Sequence, residues 1–315
     1  IQGQTEQKIR YRRRIMRKSS SGNGPLSRRL HRISTASNLR KTDAEIKLAT
    51  TREELLAAWH LIYKQYLLYD YTATCNEEIR VNQWTPLPNT YTVVAKIGTK
   101  VVGTVSYIMD SAAKLPSDEI AEKELNGLRR SGRRLCEVSG LAVDTDQSDR
   151  TIVMDMFQYG PPAAADFLGA TDYIITINPR HLFFYKKLLC FTQVSGTREY
   201  AKVRNAPGIC MRLNLETTED IYYRKYSHKT GRNNLHHFFF QARKADYFRK
   251  IPSDLRKRGT IISMKSLSKL LSNFSNLFKN PAHHALFFSE WRKYYRKGPE
   301  NKCRALSIQP HILSA

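Results

Sequence analysis

The stretch Leu128-Arg129-Arg130-Ser131-Gly132-Arg133-Arg134-Leu135-Cys136-Glu137-Val138-Ser139 decides the fold. Its first part closes a short helix read over Glu119 to Arg130. Its last part opens a strand, Leu135–Val143, that carries one carboxylate. Glu137 stands among the apolar residues Leu135, Val138 and Leu141, so the strand is expected to be buried. Burial disfavours the charged form of a carboxyl and raises its pKa, which suits a proton acceptor. Ser139, two residues on, shares the strand face of Glu137.

Working outward, Thr51 to Leu68 has apolar residues at helical spacing (Leu55, Trp59, Ile62, Tyr63, Tyr66), and Thr51 with Glu54 reads as a capping box. Tyr91–Ile97 and Val101–Met109 are β-rich runs joined by Gly98-Thr99-Lys100, the pattern of a hairpin. Downstream, Thr151–Leu168 reads as a helix that Gly160-Pro161-Pro162 should break or kink. Asp172–Ile177 is a strand, and Pro179 suits the first turn of a helix running to about Leu189. Tyr200–Val203 and Ile209–Leu215 are two further strands around a turn at Asn205 to Gly208. This alternation predicts an α/β (α+β) fold, a mixed sheet flanked by helices. Three regions are expected: a basic disordered arm over 1–45, a catalytic core over 46–216, and a mainly helical basic C-terminal region over 217–315 that includes a helix-like run from Ile262 to Phe278.

The charge balance narrows the partners. Lys and Arg total 52 against 28 acids, a formal net charge of +24 that predicts attraction to polyanions: nucleic acid, anionic lipid or an acidic protein. The five cysteines lack zinc-site spacing and read as free thiols of a cytoplasmic protein. No apolar run approaches the ~20 residues of a membrane span, although contact with an anionic membrane is compatible with the charge. His236-His237 and His283-His284 lack the context of a metal site, so no metal is expected. Phe238-Phe239-Phe240 reads as packing.

Several stretches together carry a resemblance. They are Ile62-Tyr63-Lys64-Gln65-Tyr66, then Leu87-Pro88-Asn89-Thr90-Tyr91 leading into Val101-Val102-Gly103-Thr104-Val105, then Met109-Asp110-Ser111, Leu115-Pro116 and Glu124-Leu125. The opening stretch through Ser139 follows, and Asn178-Pro179-Arg180-His181 with Tyr185 and Phe191 completes the series. In this order the segment Ala49 to Leu215 resembles the long-chain N-acyl amino acid synthases of FeeM type, a GNAT-fold family related to acyl-homoserine-lactone synthases. The resemblance implies an acyl-phosphopantetheine thioester on acyl-carrier protein as donor, with no permanently bound cofactor, and an amino-acid acceptor such as tyrosine. It also places a functional Glu on the strand of Glu137. One departure is Leu189-Cys190-Phe191, where the family usually has Gly before the Phe.

N-acylation needs a neutral amine, so a carboxylate that accepts the amine proton is the first requirement. Glu137 is the candidate; the competing reading pairs it structurally with Arg133 or Arg134. The resemblance to GNAT-fold enzymes implies Tyr185 as the proton donor to the leaving thiolate, against a plain core role. Asp110 with Ser111 either meets the acceptor ammonium or anchors a loop. Ser139 either orients the acceptor or fills a polar core position, and Arg180 and His181 are placed to meet a phosphate or carboxylate. The segment Val143-Asp144-Thr145-Asp146-Gln147-Ser148-Asp149-Arg150-Thr151 has no glycine and three acids, a poor cradle for the pyrophosphate of coenzyme A. A carrier-protein donor fits that segment and the basic charge better. The alternatives are a basic nucleic-acid or anionic-membrane binder with this fold, and an acyl-CoA dependent acetyltransferase.

Overall fold

The computed structural model describes residues 44–144, 151–162 and 168–242, with a few more at 251, 285–286, 288–290 and 292–293. The basic arm as far as residue 43, the 145–150 part of the acidic segment, His283-His284 and the Ile262–Phe278 run lie outside the described residues. The elements in chain order are β1 (Glu45–Leu48), α1 (Arg52–Leu68), β2 (Thr90–Ile97), β3 (Lys100–Met109), α2 (Asp118–Arg130), β4 (Leu135–Val143), α3 (Thr151–Pro162) and β5 (Asp172–Ile177). Then come β6 (Thr192–Gln193), β7 (Arg198–Tyr200), β8 (Ala206–Asn214) and α4 (Leu215–Tyr226). One sheet runs β1-β2-β3-β4-β5-β8-β6, with β7 paired to β8. Every pairing is antiparallel except β4 with β5.

Local chemistry explains the elements that the sequence foretold. Thr51 caps α1 by accepting the Glu54 amide, 3.2 Å. The reciprocal half of the box is shifted by one residue, since the Glu54 carboxylate accepts from the amide of Thr50 (2.9 Å). Burial pushes the Glu54 carboxyl up, but bonds from Lys47, Thr50 and Lys96 outweigh it and hold the group at about 2. Gly98 takes φ +59 in the two-residue turn that pairs Ile97 with Lys100, the geometry a hairpin favours.

Two expectations are corrected. The helix expected from Pro179 to about Leu189 is a 3-10 turn, Pro179–His181, followed by one wide turn, Phe184–Leu188. Cys190, at φ +61, ends it in a left-handed conformation that favours glycine. The strand expected over Tyr200–Val203 is only the end of β7 followed by a 3-10 turn, Ala201–Val203. Arg204 and Asn205, both left-handed (φ +57 and +59), swing the chain into β8.

Side chains alternate across the sheet and build two cores. Tyr173 and Ile175 of β5, with Cys136 of β4, belong to the core under α3; Ile174 and Leu135 belong to the core under α1 and α2. By the same alternation Glu137 faces the α1/α2 side. The β4–β5 ladder covers only Leu135–Glu137 against Asp172–Ile174. Beyond it β5 pairs only with β8 while β4 pairs only with β3, so the sheet splits just past Glu137. A bulge marks the same place. Gly140 and Leu141 together oppose Val105, with Gly140 at φ +63. A side chain there would also press on Ile62, 3.2 Å from the ideal Cβ.

The closed end of the split is held by ions. Asp172 is fully buried at the start of β5. It accepts from Arg133 Nε just before β4 (2.5 Å), Arg212 Nε on β8 (2.6 Å) and the Thr171 hydroxyl (2.7 Å).

Candidate active site

A cavity of about 540 Å³ opens where β4 and β5 part. It is lined from both cores. On the α3 side its wall is apolar and aromatic: Leu141, Phe157, Tyr173, Phe191, Leu213, Tyr222 and Phe239. On the α1/α2 side it is mixed: Ile62, Tyr66, Arg80, Ser106, Tyr200 and Lys202. The cavity therefore passes through the sheet; its α3 side is the more apolar, with Glu216, Thr218 and Glu219 of α4 also on the wall.

Glu137 stands at the crossing. Its residue is 2% exposed, it lines the cavity, and its Oε2 accepts the Ser117 amide at 2.8 Å. Burial pushes its carboxyl up to about 8, while the Ser117 bonds and the charge of Lys202 keep it from rising further. The structural pairing with Arg133 or Arg134 is absent: Arg133 serves Asp172 and Glu216, and Arg134 donates to the Gly169 carbonyl. Ser117 was not foreseen as a partner, because a bond across twenty residues has no local signal.

Of the other expected site residues, Ser139, Arg180, His181 and Tyr185 also line the cavity. Ser139 sits opposite Ser106 across the β3–β4 ladder. Tyr185 packs edge-on against Phe184 and Phe191, with centroids 5.2 and 5.7 Å away. Burial, with a smaller push from Tyr66, raises its hydroxyl to about 12, so it holds its proton at neutral pH. His181 is buried, and burial with the neighbouring Arg180 charge lowers it to about 4, leaving a neutral ring. Its Nε2 accepts from Arg180 Nε (3.1 Å). Arg180 also donates to the Tyr71 hydroxyl (2.9 Å).

Asp110 and Ser111 are not brought to the cavity wall. Asp110 takes two bonds from Arg129, 2.6 and 3.0 Å, which also grips Asp118, so this carboxylate ties the end of β3 to α2. Ser111 accepts the Ala113 amide within a turn.

Residues missed from the sequence include Arg80, Lys202, Tyr66 and Tyr200, all on the cavity wall. The one hint was Arg80 set between Ile79 and Val81. Phe239 and Phe240 do pack, against Tyr222, and they also face the cavity. No group of three metal-ligating side chains occurs among the described residues, and no described helix is long and apolar enough to cross a membrane.

The mixed, mostly antiparallel sheet flanked by helices is the fold of a GNAT-like N-acyltransferase. The chain belongs to the FeeM family of N-acyl amino acid synthases, which matches residues 57–214, half of its length. Among solved structures it is similar to FeeM, an N-acyl amino acid synthase from uncultured soil microbes. That match has 27% identity and a TM-score of 0.51, and covers 57% of this chain and 95% of that one. The acyl-homoserine-lactone (AHL) synthase LasI aligns at 10% identity and TM-score 0.41, over 55% of this chain and 89% of that one. An acyl-CoA N-acyltransferase from Pseudomonas aeruginosa aligns at 14% and 0.39, over 54% and 99%. No curated protein matches.

Proposed function

We propose that this protein joins a long-chain acyl group, delivered as a thioester on acyl-carrier protein, to the α-amine of an amino acid. The single observation that carries the reading is Glu137, buried at the point where a cavity crosses the sheet. The amine approaches on the face of Glu137, loses its proton to that carboxylate, and attacks the thioester carbonyl directly. The alkyl tail lies among Phe157, Tyr173, Phe191 and Leu213 on the other face. The thiolate that leaves takes a proton from Tyr185, which burial keeps protonated. The carrier protein as donor is supported by the net charge of +24 and by the glycine-free 143–151 segment.

The test is to incubate the purified chain with acyl-carrier-protein and acyl-coenzyme A donors and a set of amino acids, and to seek N-acyl amino acids by mass spectrometry. Product with the carrier-protein donor supports the reading. Absence of any N-acyl product overturns it, and equal turnover with acyl-coenzyme A overturns the choice of donor.

The apolar wall makes a second expectation. Tyr222, Phe239 and Phe240 of the acyl side follow residue 214, where the family match ends. Phe239→Ala should enlarge it and move preference toward longer acyl chains. For donors two carbons apart the change should be about tenfold in relative kcat/KM. Competition between the two donors, read by mass spectrometry, checks this.

A further inference from the structure

Among the described residues Arg80 is a cation without an anion. It lies in the segment between α1 and β2, and its side chain reaches the cavity on the Glu137 face. Its guanidinium stands 4.6 Å above the Tyr66 ring and donates to the Lys202 carbonyl at 2.5 Å. Among the described residues no Asp or Glu pairs with it. Burial weakens its hold on the proton, and what opposes this comes from Tyr66 and Tyr200 rather than from a carboxylate. A half-buried guanidinium without a counter-charge is partly stripped of water, so such an arrangement suits a site completed by an anionic ligand. The neighbouring cations are occupied. Lys202 pairs with Glu119 and lies over Trp84, and Arg180 is exposed and bonded to Tyr71 and His181.

The place of Arg80 selects the anion. Arg80, the Tyr66 ring beneath it, Tyr200 and Glu137 all line the same cavity. An anion on Arg80 thus shares the cavity with the base. The phosphate of a phosphopantetheine arm lies at the far end of that arm from its thioester, whereas an α-amino acid carries its carboxylate one carbon from the attacking nitrogen. We propose that Arg80 binds the acceptor's α-carboxylate and so restricts the acceptor to free amino acids. This rests on the acylation reading above and adds the residue that selects the substrate. The carboxylate docks bidentately on the guanidinium fork, and the amine turns toward Glu137.

The test uses the full chain with acyl-carrier-protein donor and two matched pairs, tyrosine with tyramine and leucine with isopentylamine. The wild type should prefer at least one amino acid over its decarboxylated partner by roughly 10- to 100-fold in kcat/KM, the scale of one hydrogen-bonded charge. Arg80→Gln should raise the KM for that amino acid by a similar factor, leave the KM for the donor unchanged, and abolish the preference. Arg80→Lys should retain part of it. Independently of turnover, the preferred amino acid should raise the melting temperature of the wild type and not of Arg80→Gln. Equal use of acid and amine by the wild type overturns the proposal. So does a rise in the donor KM alone, which would assign Arg80 to the phosphate. An Arg80-dependent melting shift with no acylated product would keep the carboxylate site and overturn the acylation reading instead.

Discussion

Glu137→Gln is expected to lower kcat/KM by roughly 10²- to 10⁴-fold, the range for losing a positioned general base. The replacement is nearly isosteric, and its carbonyl oxygen can still accept the Ser117 amide that now meets Oε2. The loss therefore reports proton transfer rather than misfolding. The pH profile separates the two further. With its carboxyl near 8, Glu137 is mostly protonated at neutral pH and gains its basic form as pH rises. Wild-type activity should climb through pH 8, and the variant should lack that ionisation. Stability moves the other way. Between the ordinary value of 4.5 and about 8, the folded protein holds a proton that the unfolded chain has released. Stability from this group is thus full below 4.5 and falls as pH rises to about 8. Glu137→Gln should remove that decline and be at least as stable as the wild type at pH 9. A variant that melts well below the wild type at pH 9, or retains full activity, would contradict this account.

Asp172→Ala is expected to destabilise the fold by about 3–5 kcal/mol, because it leaves partly buried guanidinium groups facing an empty site. Arg133 and Arg212 both converge on this fully buried carboxylate, from the segment before β4 and from β8. It fastens three strands at the closed end of the fork. For a folded unit of this size the loss corresponds to a fall of roughly 6–20 °C in melting temperature. Arg212→Ala should cost less, since Arg133 and Thr171 still bind Asp172. Thermal melts followed by circular dichroism check both. A fall below about 3 °C for Asp172→Ala would show that the clamp does not hold the sheet.

The legible parts of the fold were those with local causes. The α1 cap, the Gly98 turn and the buried β4 strand each follow from residues within a few positions of one another. Short or long-range pieces escaped. β1 has four residues and gains its order from β2, some fifty positions away, and β6 has only two. α4 was not recognised as a separate helix, although Asn214 caps it. In the candidate site, Glu137 was readable because a lone carboxylate among apolar strand residues must be buried with a purpose. Asp110 was ambiguous until Arg129, nineteen residues later, claimed it. For Arg80 the sequence held only its place between Ile79 and Val81, since its significance lies in the lack of an acidic neighbour among the described residues, which only the packing reveals.

The passage through the sheet has a kinetic meaning. In the proposed reaction donor and acceptor reach the reacting point from opposite sides, so neither obstructs the other and both are present at once. The two cysteines in the sheet near Glu137, Cys136 and Cys210, are buried and their thiols are pushed well up, which leaves neither of them an activated sulfur to carry the acyl group between half-reactions. Initial-rate plots at several fixed concentrations of the second substrate should converge to a common point; parallel lines would mean an acylated protein intermediate.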